Sequence, residues 1–379
     1  MNQKVYITRV SKFFPNNPVT NEEMEDYLGE IKGLKSRSKS LILYNNKIKT
    51  RYYAIDKEGK STHSVTDMAV EAIRNLCTSG FEPADIELLT CGSASPDLLM
   101  PAMSLMVHGR LGIKPIDAMT ATGSCNSSMW ALNYAWMSLM LGKYTNAVCV
   151  ASEKFSNWMQ SKNFEEESKH LEELGKNPFI AFEKDFLRWM LSDGASAVLL
   201  QNKPAESGIS LGIEWLEIKS FANEIETCMY AGGIKDESGE ITSWHDLTPA
   251  QWLENSVFSL RQDTRLLQDN ITRLGGIFLK ELTEKYNFDV SGIDFFLPHL
   301  SSYFFKSRIQ DSLKDNGMNI PDEKWFVNLD KIGNIASASG FAMLEELFCS
   351  GRLKKGNRIL MMIPESARFS YTYLMLTVE

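Results

Sequence analysis

Short apolar runs bounded by turn residues and followed by helical patterns recur along the 379-residue chain. Ile86-Glu87-Leu88-Leu89-Thr90-Cys91-Gly92 and Ile293-Asp294-Phe295-Phe296-Leu297-Pro298-His299 are such runs, 207 residues apart, and each reads as a buried strand feeding a crossover helix. Further on, CNSSMWALNYAWMSLMLG from Cys125 and NIASASGFAMLEELFCSG from Asn334 each reach a helix-ending glycine, Gly142 and Gly351, 17 residues later. Apolar strands follow both, NAVCVAS (146–152) and RILMMI (358–363). This repetition predicts an α/β chain of two duplicated halves, 1–203 and 204–379, each running strand-helix-strand-helix-strand. Residues 1–20 alternate apolar and polar positions as a strand does.

Two stretches break the symmetry. Residues 156–190 predict an added helical excursion, whose Phe179, Ile180, Phe182, Phe186 and Trp189 suit a lid or dimer contact beside a pocket, while its acidic FEEESKHLEEL half suits a solvated decoration equally well. Thr248-Pro249-Ala250-Gln251 is a helix start with a capping box. A long amphipathic helix should follow it, burying Leu260, Leu267, Ile271, Leu274 and Phe278. No linker tract separates the halves, so they should pack as one unit.

Composition narrows the function. Hydrophobic content of 44% permits a large core, and a net charge of −8 with no Lys/Arg block argues against nucleic acid as a partner. No apolar run approaches the length of a membrane span and no signal peptide opens the chain, so a cytoplasmic protein without a membrane anchor is expected. The six cysteines, at 77, 91, 125, 149, 228 and 349, form no C-x-x-C pair, which points to neither a metal site nor a disulfide framework.

One cysteine stands out by context. The strand-like IDAMTA and the small-residue turn Thr122-Gly123-Ser124 place Cys125 at the carboxyl end of a strand and in the first turn of a helix. Free N–H groups and partial positive charge there should lower the thiol pKa. A buried cysteine at a close helix-sheet contact fits the same local sequence equally well. The duplication tips the balance, because it sets His299 and Asn334 at strand ends of the second half, opposite Cys125. A cysteine to take an acyl group, with imidazole and amide donors to stabilise an enolate, suits thioester exchange and Claisen condensation, with no cofactor or metal required.

In order and spacing, SASPDLLMP with Asp97, TATGSCNSSMWAL around Cys125, SDGASAVLL (192–200), LPHLSS around His299 and KIGNIASAS around Asn334 resemble the signatures of β-ketoacyl carrier-protein synthase III over roughly residues 40–379. The resemblance implies the thiolase fold, five layers α-β-α-β-α, a homodimer, Cys125, His299 and Asn334 as catalytic triad, and acyl carrier protein or acyl-CoA thioesters as partners. EMEDYLGEIKG, KIKTRYYAID, PHLSSYFF and Pro364-Glu365-Ser366 are most similar to the ketosynthase/cyclases of dialkylresorcinol and bacterial stilbene biosynthesis. The implied activity is that of an acyltransferase making a carbon–carbon bond, with ring closure to a cyclohexanedione-type precursor. Alternatives are acyl transfer to an oxygen or nitrogen nucleophile, a fatty-acid-initiating ketosynthase III, and a silent partner subunit. Three departures matter: Leu300, Ser301 and Ser302 follow His299, no Trp lies between 30 and 55 to stack on a CoA adenine, and Ile363–Arg368 stands where the family has a Gly-rich loop. An oxyanion donor is therefore expected from a turn at Ser366. Glu153, at the end of NAVCVAS, is the candidate base for a cyclising carbanion, with an ion pair to Lys154 as the other reading.

Overall fold

A computed structural model describes residues 3–33, 35–36, 38–78, 80–173 and 182–379. Nine strands form one hydrogen-bonded series: β1 Tyr6–Phe13, β2 Leu88–Ser93, β3 Asp117–Thr122, β4 Asn146–Glu153, β5 Gly194–Gln201, β6 Leu211–Ser220, β7 Phe295–Pro298, β8 Arg358–Glu365 and β9 Ser370–Val378. Their spatial order is β7-β8-β9-β6-β1-β5-β4-β2-β3. In the first half, β3, β2 and β4 run parallel while β5 is antiparallel to β4 and β1. The second half repeats this with β7 and β8 parallel and β9 antiparallel to β8 and β6. The two sets meet where Tyr6 and Ile7 pair with Gly212 and Leu211.

Helices complete the layers of the thiolase fold. On the outside of the first half lie α1 Val65–Leu76 and α2 Met103–Leu111, which close one core with β2, β4 and β5. Between the two sheets lie α3 Ser127–Met140 and, from the second half, the helix Ser339–Phe348, whose Met129, Leu132, Leu139, Phe341, Leu344 and Leu347 are buried together in a second core. Outside the second half run Thr264–Lys285 and Phe304–Asp315, closing the third. These are five layers, α-β-α-β-α. Gly92 shows how tightly they meet: a Cβ there would lie 2.6 Å from the backbone nitrogen of Ser128, so only glycine lets α3 lie this close to β2. Both helix-ending glycines take the left-handed conformation, Gly142 and Gly351 each at φ 72.

The long helix expected after Thr248 is broken in two. The capping box forms, but the helix stops after Pro249–Glu254. Ser256 then turns left-handed at φ 45, residues 261–262 pair with 229–230, and Asp263 caps a new helix, Oδ1 accepting from the N–H groups of Arg265 and Leu266. Leu267, Ile271, Leu274 and Phe278 are buried on that second helix, while Leu260 lies ahead of it, buried against the cavity described below.

Within 156–190, single turns at Ser156–Met159 and Ser161–Phe164 lead into the helix Glu165–Glu173, and a further helix spans Phe182–Arg188. Phe179, Ile180 and the Phe182 side chain lie outside the described residues. Trp189 is fully buried, its indole N–H bonded to Asp185 at 3.0 Å, so it belongs to the core rather than to a pocket. Among the described residues no helix is long and apolar enough to cross a membrane.

Candidate active site

Cys125 occupies the turn between β3 and α3, two residues before the helix begins rather than within its first turn. Ser127 N–H bonds Ser124 O at 3.0 Å, and Asn126 O accepts from Met129 and Trp130, so the chain is already curling as it passes the thiol. The sulfur accepts from Ser124 Oγ at 3.8 Å. Its pKa is pushed up to about 12, first by burial and then by the negative charge of Glu365. The lowering expected from the helix end is thus reversed. Burial penalises the thiolate more than the nearby N–H groups reward it, and the resting group is a thiol.

His299 leaves the end of β7 and is anchored by its own N–H to Met362 O at 2.8 Å. Its ring is buried, Nε2 has no partner among the described residues, and burial pulls the pKa down to about 4, so the imidazole is neutral at pH 7. Asn334 follows Gly333, which stands at φ 70 and has no room for a side chain, a Cβ there falling 2.9 Å from the Ser192 Cβ. Asn334 bridges to the first half, its N–H to Met190 O at 3.1 Å and its carbonyl to Ser192 N–H at 2.9 Å. Its side-chain oxygen is held by Ala336 N–H at 2.9 Å, which leaves the amide N–H groups for the cavity that Asn334 lines.

That cavity holds about 870 Å³ and is walled by Cys125, Asn334 and Ser366, with Phe155, Trp158, Leu187, Met190, Trp244, Trp252 and Phe258 supplying apolar surface. A crevice of about 30 Å³ adjoins it, sharing Cys125, Ser301 and Ser366 and adding His299. Of the five residues singled out from sequence, His299, Asn334 and Ser366 therefore line the same connected spaces as Cys125. Neither the tryptophans nor Gln262, whose Nε2 donates to Ser366 Oγ at 3.0 Å, was singled out in sequence, because they come from short elements whose packing against the cavity no local pattern encodes.

Glu153 is the exception. It lines neither cavity nor crevice and is fully buried. Its carboxylate accepts from the N–H groups of Ala94 (2.9 Å) and Ser95 (3.0 Å) and from the hydroxyls of Ser95 (2.6 Å), Ser93 (3.3 Å) and Ser337. Burial still pushes its pKa up to about 7. A group so enclosed has no path to a substrate methylene, and the alternative ion pair is not made either: Lys154 Nζ donates to His63 O at 2.6 Å. Glu153 instead joins the loop at Ala94, a cavity residue, to the turn at Ser337, three residues beyond Asn334.

Comparisons with known proteins bear on the fold and family. Residues 283–363 match the family described as 3-oxoacyl-(acyl-carrier-protein) synthase III, C terminal. β-Ketoacyl carrier-protein synthase III of Clostridium perfringens is 24% identical over 355 residues, 92% of each chain. The solved tetronic acid condensing enzyme AbyA1 superimposes with a TM-score of 0.76 at 20% identity, covering 98% of this chain and 99% of that one. OleA of Xanthomonas campestris, solved with lauric acid and lauroyl-CoA, gives a TM-score of 0.73 at 18% identity, covering 100% of both. The protein has the thiolase fold shared by these condensing enzymes. Within that class the chain is a relative of the β-ketoacyl carrier-protein synthases III.

Proposed function

We propose that this chain is a ketosynthase that loads an acyl group on Cys125 and joins it to a second acyl thioester through a carbon–carbon bond. The observation that carries this reading is the convergence of Cys125, Asn334 and Ser366 on one apolar cavity, with His299 in the crevice that shares the sulfur. In the first step Cys125 Sγ attacks the thioester carbonyl, the S–C bond to the donor breaks, and the thiol proton leaves with the departing thiol. The carbonyl oxygen is received by backbone N–H groups: that of Ser366, which has no partner among the described residues, and that of Cys125, which faces its own sulfur. In the second step the neutral His299 ring and the Asn334 amide hold the carbonyl of the second thioester as its α C–H bond breaks and the enolate forms; that carbon attacks the acyl carbonyl, the C–S bond breaks, and the proton lost from carbon ends on the released Cys125 sulfur. The imidazole that burial keeps neutral can donate one ring N–H to that oxygen.

The finer part of the proposal is that the second substrate is a β-ketoacyl thioester and the product closes to a cyclohexanedione-type ring, the precursor of a dialkylresorcinol or stilbene. The cavity supports it by size and lining, about 870 Å³ of largely aromatic and aliphatic wall, within the usual range for small-molecule sites. The solved condensing enzyme of tetronic acid formation shares the fold. In this reading carrier-protein or CoA thioesters are the donors, and Glu153 acts as a staple between the two walls of the site rather than as base. The exposed Leu98, Leu99, Met100 and Leu105 further support a homodimer closed over that face. Intact-mass measurement after exposure to a panel of acyl thioesters tests the first step. The parent should gain one acyl mass and Cys125→Ala none; a full adduct on the variant overturns the assignment.

A further inference from the structure

The turn carrying Ser366 joins β8 to β9, with Glu365 and Ser370 opposite each other in register. It contains no glycine, and its left-handed step is taken by Phe369 at φ 58. What holds it is a carboxylate. Glu365, 4% exposed, accepts from Ala367 N–H at 2.9 Å through Oε1, and from Arg368 N–H at 3.4 Å and the Ser370 hydroxyl at 3.2 Å through Oε2. From the other side Cys228 N–H holds Ala367 O at 2.9 Å. With the next two N–H groups turned inward to Glu365, that of Ser366 is left free at the wall of the cavity. A second arm runs to the nucleophile: Ser370 Oγ also accepts from Asn126 Nδ2 at 3.2 Å, and Asn126 is the residue after Cys125.

We propose that Glu365 is a positioning residue which, through the turn N–H groups on one side and Ser370 and Asn126 on the other, fixes the Ser366 N–H relative to Cys125. This rests on the reading of Cys125 as the acylated nucleophile. It gives the chain a buried acid where a flexible glycine loop would need no such support, and it has a second consequence. The titratable groups around the thiol are Glu365 from β8, Glu153 from β4 and His299 beyond β7, and those around Glu365 are Cys125, Cys228 and Tyr371. Of the two carboxylates, Glu365 acts on the thiol more strongly. It therefore supports acylation through geometry while opposing a free thiolate through charge. The two effects have opposite signs, and a residue that only stabilises the fold has neither.

Two rates on the intact protein separate them: acyl loading of Cys125 by a thioester, which needs an oxyanion donor, and alkylation of Cys125 by iodoacetamide, which does not. Glu365→Ala should slow loading about 100-fold, the loss typical of one such donor, while alkylation at about pH 8 becomes faster than in the parent. Glu365→Gln keeps an acceptor for Ala367 N–H and should recover loading to within about tenfold of the parent, with alkylation still faster. Ser370→Ala cuts the arm to Asn126 without removing charge, so loading should fall several-fold and alkylation stay at the parent rate. Loading at the parent rate in Glu365→Ala, or loading and alkylation falling together in the Gln and Ser370 variants, overturns the proposal. If the parent itself is never acylated on Cys125, the ketosynthase reading has failed, and unchanged hydrogen exchange of the Ala367 and Arg368 N–H groups in Glu365→Ala then overturns this one independently.

Discussion

Glu153→Gln removes one of several buried titrations, of which that of His299 works against it. The Glu153 carboxyl moves from an ordinary 4.5 to about 7 on burial. Between those values the folded chain keeps a proton that the unfolded chain has released, so the stability it contributes is present below about 4.5 and lost as pH rises to about 7. At about 1.4 kcal/mol per pH unit the loss comes to roughly 3 kcal/mol. His299 acts in the other direction, falling from 6.5 to about 4 on burial. There the unfolded chain takes up a proton that the folded chain refuses, and stability is lost as pH falls through that window. Over the overlap these two slopes nearly cancel each other, while Asp193 and Glu365, also raised by burial, add slope in the direction of Glu153. The difference between parent and variant isolates Glu153, since Asp193, Glu365 and His299 are common to both. Urea unfolding of each protein at about pH 5 and about pH 8 should show the parent's advantage shrinking by roughly 3 kcal/mol between the two conditions. The Gln variant will be less stable throughout, because its amide N–H groups face the Ala94 and Ser95 donors, but that offset drops out of the comparison. An advantage constant to within about 1 kcal/mol would mean that those donors fully replace water around the charge, and the argument from burial would fail.

Two further outcomes concern the reaction. His299→Ala and Asn334→Ala should each lower condensation about 100-fold while the mass adduct on Cys125 still forms, because enolate stabilisation belongs to the second step; equal loss of both steps would make these residues structural. Trp252→Ala and Phe258→Ala open the apolar wall of the cavity and should shift preference towards bulkier or longer acyl groups, read from competition between two thioesters; an unchanged ratio would place the acyl chain elsewhere.

Most strands, and the residues Cys125, His299 and Asn334, were legible because duplication made them so. A repeated pattern located Cys125 and His299 at strand ends without any knowledge of contacts, but Asn334 follows the short helix Leu329–Ile332 and Gly333 where a strand was expected. What the pattern could not carry was environment. Cys125 looks activated along the chain because a helix follows it, yet its pKa is raised first by burial and then by the charge of Glu365, 240 positions away, and neither is visible along the chain. Glu153 sits at a strand end like the others, but strand position does not say which way a side chain faces, and its carboxylate turns towards Ser95 and Ser337 instead of the cavity. The helix after Thr248 failed for a related reason. Apolar spacing continues across 255–263, and only the left-handed Ser256 and the Asp263 cap reveal that the chain stops and restarts there.

That break lets residues 249–259 fold over the cavity, and one buried ion pair connects them to the other covering segment. Lys184 is enclosed by the helix Glu165–Glu173 and the turn at Asn255; its ammonium pairs with Glu167 and donates to Asn255 O at 3.2 Å. Glu167 Oε2 is buried with no hydrogen-bond partner among the described residues, so the pair holds a carboxylate that has little else to compensate it. Removing only the cation should therefore cost more than removing both charges: about 3 kcal/mol for Lys184→Ala, against a much smaller loss for Lys184→Met combined with Glu167→Leu, which fill similar space with apolar groups. Because Glu166 on that helix and Trp252, Leu253 and Ser256 on the other segment all line the cavity, the cost should appear there first. Hydrogen exchange in 165–173 and 249–254 should accelerate in the single variant and return towards the parent in the double, with the exchange of β4 and β5 unaffected. Equal exchange in the single and double variants would show that the pair does not hold the two segments together.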